Sequence, residues 1–109
     1  MRLIIHNDSH DRKRQAANIA HELAHGLLLH PPKPPFDSRG SRHYDAALEA
    51  EANWLGPALL VSDEAALLIA ERKWPVTEAS DRYGASGPLI RMRLNVSGAV
   101  LRVARRRAA

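Results

Sequence analysis

His21-Glu22-Leu23-Ala24-His25 sits inside a run in which Ala16, Ile19, Ala20, Leu23, Leu27 and Leu28 recur at helical spacing. Residues four apart on a helix share a face, so His21 and His25 can grip one ion from successive turns. Glu22 is poorly placed to join that pair of ligands but close enough to act as a base on water beside the ion. Two imidazoles and a carboxylate at this spacing outline a hydrolytic zinc site. Zn2+ is therefore the expected cofactor.

The helix that carries the motif is predicted over residues 8–30, with Asp8 or Ser9 as its cap and Asp11, Arg12, Lys13 and Arg14 in its first turns. Leu3-Ile4-Ile5 ahead of it reads as one strand within residues 1–6. Pro31-Pro32-Lys33-Pro34-Pro35 ends the helix, and residues 31–42 form a proline-rich loop. A second helix is predicted over 43–60, although Gly56-Pro57 should kink or end it. Ser62 caps a third helix closed by Trp74-Pro75, and Thr77 caps a short one ending at Gly84. Ser86 caps the next, with Pro88 in its first turn and Gly98 beyond its end.

A zinc hydrolase needs a third protein ligand and an open fourth position. The second helix offers Glu49 and Glu51, which point about 200° apart, so at most one faces the ion. Glu49 shares its face with Ala52, Asn53 and Gly56, residues small enough for close helix approach. Asn53, one turn on, can accept the second ring N–H of a ligand histidine. This favours Glu49, with Glu51 as the fallback. His30 lies about 140° around the helix from His25 and reads as a C-terminal cap.

The remainder of the composition sets limits. The 109 residues fit one domain, 1–109, and the hydrophobic fraction of 45% with 26% charged is that of a globular protein. No cysteine is present, which excludes disulfides, thiolate metal sites and a cysteine nucleophile. No apolar run reaches a membrane span, and the first residues turn polar too soon for a secretory signal, so a cytoplasmic protein is expected. The net charge is +4, with Arg102, Arg105, Arg106 and Arg107 crowding a C-terminal region, 62–109, of helices and basic tail. Arg91, Arg93 and Arg102 lend positive charge to the helix pair from Thr77 to Asn95. Its second helix spends Leu89, Ile90, Met92 and Leu94 on packing, so DNA binding is not favoured.

The stretch Ala17 to His30, followed by Glu49-Ala50-Glu51-Ala52-Asn53-Trp54-Leu55-Gly56-Pro57-Ala58-Leu59-Leu60, resembles the ImmA/IrrE family of metallopeptidases. Tyr83 to Asn95 resembles that family's end, so the likeness runs from Ile4 onward. Leu55-Gly56 stands where the family has Phe-Ala, and Val61-Ser62 where it has Met-Pro. The family's N-terminal portion ahead of the Ile4-Ile5 strand is short here, which implies a minimal sheet.

The resemblance implies an α+β, mainly α, zincin-like fold: an active-site helix, a Glu-bearing helix, a minimal N-terminal strand and a C-terminal helix pair. It makes His21, His25 and Glu49 the metal ligands and Glu22 the catalytic base, with His43, Tyr44 and Tyr83 as candidate oxyanion donors. It further implies a zinc endopeptidase acting on a regulatory protein, such as a helix-turn-helix repressor tied to stress response or a mobile element. The alternative is a non-catalytic metal-binding module that contacts a repressor or DNA through its basic C-terminal region. The sequence carries no signal for an oligomeric state.

Overall fold

The computed structural model describes residues 11–30 and 46–108, and all six elements found there are α-helices. The mainly α expectation holds for the described residues. The strand expected within 1–6, the loop over 31–42, the start of the second helix at 43–45, and His43 and Tyr44 all lie outside them.

Helix α1 (Arg12–Leu27) begins one turn later than its sequence suggests. Asp11, not Asp8 or Ser9, is the N-cap: its backbone is extended and its carboxylate accepts from the Arg14 N–H at 3.0 Å. A carboxylate three residues ahead of that N–H satisfies a donor the helix cannot. At the other end Leu29 turns left-handed, with φ 59°. Its N–H reaches the Gly26 carbonyl at 3.1 Å, and the His30 N–H reaches that of His25 at 2.9 Å. That pair of bonds is a Schellman ending, with leucine where glycine is usual.

Helix α2 (Ala46–Leu60) continues past Pro57, so the proline does not end it. Two local facts explain it. Gly56 has no Cβ to collide with the proline ring, and Pro57 lies near the helix end, where only one ladder bond is lost. The Pro57 carbonyl still accepts from the Val61 N–H at 2.9 Å.

Helix α3 (Asp63–Arg72) is capped by Ser62, whose hydroxyl accepts from the Ala65 N–H at 3.1 Å. Helix α4 (Val76–Tyr83) starts at Pro75 rather than Thr77: the ring presets φ at −60° and the residue caps with extended ψ, so Thr77 falls inside the first turn. Helix α5 (Gly87–Ser97) is capped by Ser86, holds Pro88 in its first turn and closes on Gly98 at φ 65°. Helix α6 (Ala99–Ala108) carries the basic residues Arg102, Arg105, Arg106 and Arg107 of the C-terminal region. Ala99 and Val103, four apart, are buried on its inner face, and the Arg107 Nη2 donates to the Glu71 carbonyl at 2.7 Å.

Two packing units result. Helices α1 and α2 lie antiparallel, with Ala20 and His21 opposite Gly56 and His25 opposite Glu49. Their interface is built from Ala20, Ala24, Ala52 and Gly56. Larger side chains fill the other unit, where Val61, Ile69, Ala79, Ala85 and Ile90 form a core flanked by Trp74, Tyr83 and Leu94. Arg93 is buried beside it: its Nε donates to the Val61 carbonyl at 2.8 Å and its Nη2 to Asp63 Oδ1 at 2.5 Å. Lys13 joins the two units, donating to Ser80 Oγ at 2.7 Å and to Asp81 Oδ1 at 3.0 Å.

Candidate metal centre

Antiparallel pairing at a glycine-and-alanine seam brings the first turn of α2 against the C-terminal half of α1. Glu49 thereby meets both motif histidines. Its Oε2 lies 3.0 Å from His21 Nε2 and its Oε1 lies 3.3 Å from His25 Nε2. The two Nε2 atoms are 3.2 Å apart, with their rings edge to face. One ligand atom from each residue lies within 4.8 Å of the others, and this group can hold a metal ion.

The separations test what kind of ion fits. Zinc bonds to imidazole nitrogen and carboxylate oxygen run about 2.0–2.1 Å, so the edge of a tetrahedron around it is about 3.3 Å. The His21 and His25 Nε2 atoms, 3.2 Å apart, match that edge, and each faces its own Glu49 oxygen, at 3.0 Å to Oε2 and 3.3 Å to Oε1 respectively. The donor set of two nitrogens and one oxygen also suits a hydrolytic rather than a closed structural site. Burial keeps the His25 imidazole below its ordinary pKa of 6.5, against the opposing pull of Glu49. A neutral ring with a free lone pair is the form that binds a metal.

With that arrangement in place, comparison with known proteins identifies the chain. It matches the peptidase family described as the IrrE N-terminal-like domain over residues 1–95. The chain belongs to this family. Neither the curated proteins nor the solved structures compared with it gave a match. The family is one of metallopeptidases, and the His21, His25 and Glu49 cluster is where this member can take its ion.

Glu22 is half-buried on α1, adjacent to His21, and its charge bears on His25. A cleft opens beside His21 and Glu49, walled by Ala17, Asn18, Asn53, Pro57, Leu60 and Leu89. Asn53 is an exposed part of this wall, and among the described residues no hydrogen bond joins its amide to either imidazole. The contact expected of it is made by another residue. Tyr83 packs against the α3–α5 core and does not line the cleft, so the structure does not bring it to the cluster.

That other residue is His30. Its ring is buried, its Nδ1 lies 2.8 Å from His25 Nδ1, and its Nε2 lies 2.7 Å from Glu51 Oε2. His30 was expected as a helix cap because an ideal helix would carry it around the side. The helix instead ends at Leu27, and the left-handed Leu29 folds residue 30 back under His25. Glycine at position 29 would have signalled this turn; leucine hides it. Arg93 is likewise withdrawn from the basic surface expected of it, because it is buried against Val61 and Asp63.

Proposed function

We propose that this protein is a zinc-dependent endopeptidase whose substrate is another protein, a transcriptional regulator being the kind its family likeness suggests. The observation that supports the reading is the convergence of His21 Nε2, His25 Nε2 and the Glu49 carboxylate, one ligand atom from each within 4.8 Å of the others, beside an open cleft. A zinc ion held by these three would supply Lewis acidity, polarising the scissile carbonyl and acidifying water.

The chain's own residues do the rest. Glu22 takes the proton of the attacking water and passes it to the leaving amine nitrogen. Ala17, Pro57, Leu60 and Leu89 give the cleft an apolar wall against which a substrate side chain packs, while the Asn53 amide presents polar groups to a peptide backbone. Among the described residues no helix is long and apolar enough to cross a membrane, and the cytoplasm is the compartment we propose.

A second reading has one observation in its favour. Arg102, Arg105 and Arg106 are exposed on α6, so a module that keeps the ion and contacts a repressor or DNA without cutting has a basic surface to use. Glu22→Gln separates the two. Under the first reading the variant binds zinc as tightly as the parent and loses cleavage of a repressor substrate by about 10²–10⁴-fold. Regulation that survives the substitution unchanged supports the second.

A further inference from the structure

We propose that His30 and Glu51 are a positioning pair for His25, setting its tautomer so that the Nε2 lone pair faces the metal site. This rests on the reading of His21, His25 and Glu49 as metal ligands. The two rings and the carboxylate form one chain of contacts: Glu51 Oε2 to His30 Nε2 at 2.7 Å, then His30 Nδ1 to His25 Nδ1 at 2.8 Å. Both distances are those of good hydrogen bonds.

Donor and acceptor roles follow in order from the outer end. A carboxylate only accepts, so the proton between Glu51 and His30 belongs to His30 Nε2. A neutral imidazole carries one N–H, so His30 Nδ1 is left with its lone pair and accepts. The atom facing it is His25 Nδ1, which must donate. That assigns the His25 proton to Nδ1 and leaves the lone pair on Nε2, the atom 3.3 Å from Glu49 Oε1 and 3.2 Å from His21 Nε2.

Burial gives the assignment its force. His25 and His30 are each only 6% exposed, so water does not offer either ring a competing partner. The backbone reinforces it: the His30 N–H bonds the His25 carbonyl at 2.9 Å, so the two residues are tied through main chain and side chain at once. Metal-bound histidines commonly donate their other ring N–H to a carboxylate or carbonyl. Here the carboxylate acts one ring removed, through His30.

The test reads tautomers and zinc affinity in the full chain. Long-range proton–nitrogen NMR of the metal-free protein at neutral pH should show His25 protonated at Nδ1 and His30 at Nε2. Competition with a chelator should show zinc binding weakened about 10–100-fold in His30→Leu. His30→Gln should recover most of that loss, because its amide accepts from His25 through oxygen and donates to Glu51 through nitrogen. A proton on His25 Nε2 overturns the proposal, as does His30→Leu binding zinc like the parent, or His30→Gln binding no better than His30→Leu. The NMR reading stands on the parent protein alone, so a misfolded variant does not remove it. If the parent protein fails to bind zinc at all, the metal centre itself falls and the pair falls with it.

Discussion

A β-carbon built on Gly56 would lie 3.2 Å from the backbone Cα of His21 and 3.3 Å from its nitrogen. The two helices that carry the His21, His25 and Glu49 cluster therefore touch backbone to backbone at His21 itself. Gly56→Ala cannot be absorbed by a side-chain rotation, because what it meets is main chain. The helices must part by a few tenths of an ångström, which widens the span between His21 and Glu49. Zinc affinity should drop about tenfold or more, since outlying changes in ligand placement cost 10–100-fold. Helical circular dichroism should stay unchanged; chelator competition measures the loss.

Metal binding should stabilise the fold, because the three ligands converge only in the folded chain. Zinc at 100 times its Kd should add about 2.7 kcal/mol, seen as a raised Tm that a chelator reverses. His21→Ala or Glu49→Ala should abolish that rise. A Tm indifferent to zinc in the parent protein would contradict the cluster as a metal site.

Arg93 ties α5 to the turn between α2 and α3. Arg93→Leu strands the Val61 carbonyl and releases Asp63, whose side chain is largely exposed and so loses little. The cost should be about 1–3 kcal/mol, dominated by the unsatisfied carbonyl. Urea denaturation reads it. Zinc affinity should be unaltered, because no ligand moves.

Leu29 stands at φ 59°, and the residue is 87% exposed. The left-handed region costs a non-glycine residue about 1–2 kcal/mol, partly offset for glycine by the entropy of its unfolded chain. Leu29→Gly should stabilise by roughly 0.5–1 kcal/mol with zinc binding intact. A fall in Tm would show that Leu29 is held by contacts stronger than the strain.

Burial depresses the pKa of His25 in the folded protein below the 6.5 of an exposed imidazole. The unfolded chain therefore binds the proton more readily. The stability this group contributes is present above about pH 6.5 and is lost progressively as pH falls below it. Metal-free protein should unfold at lower urea concentration at pH 5.5 than at pH 7.5. In His25→Asn the difference should shrink; an unchanged difference would assign it to other groups.

The meeting of His21 and His25 was legible because their spacing is a helix period, and that of Glu49 with them because Ala52 and Gly56 leave its face open to a neighbour. The caps at Ser62 and Ser86 and the left-handed Gly98 were legible too, each being a residue type with one strong local preference. What failed was where a tertiary partner overrides the local signal. Pro57 reads as a stop until Gly56 is seen to relieve it, and Thr77 reads as a cap until Pro75 takes the position. Arg93 reads as surface charge because nothing local announces the Val61 carbonyl waiting for it. His30 and Glu51, 21 residues apart, meet only once Leu29 turns the chain.

Among the described residues, the largest fully buried side chains, Ile69, Ile90 and Val61, all belong to the α3–α6 unit or its entry, while the ligand-bearing hairpin is sealed by alanine and glycine. Deprived of its ion, that hairpin has little grease to grip with. Amide hydrogen exchange should accordingly show it breathing open before the rest melts, with a bound cation serving as a clasp that holds α1 to α2.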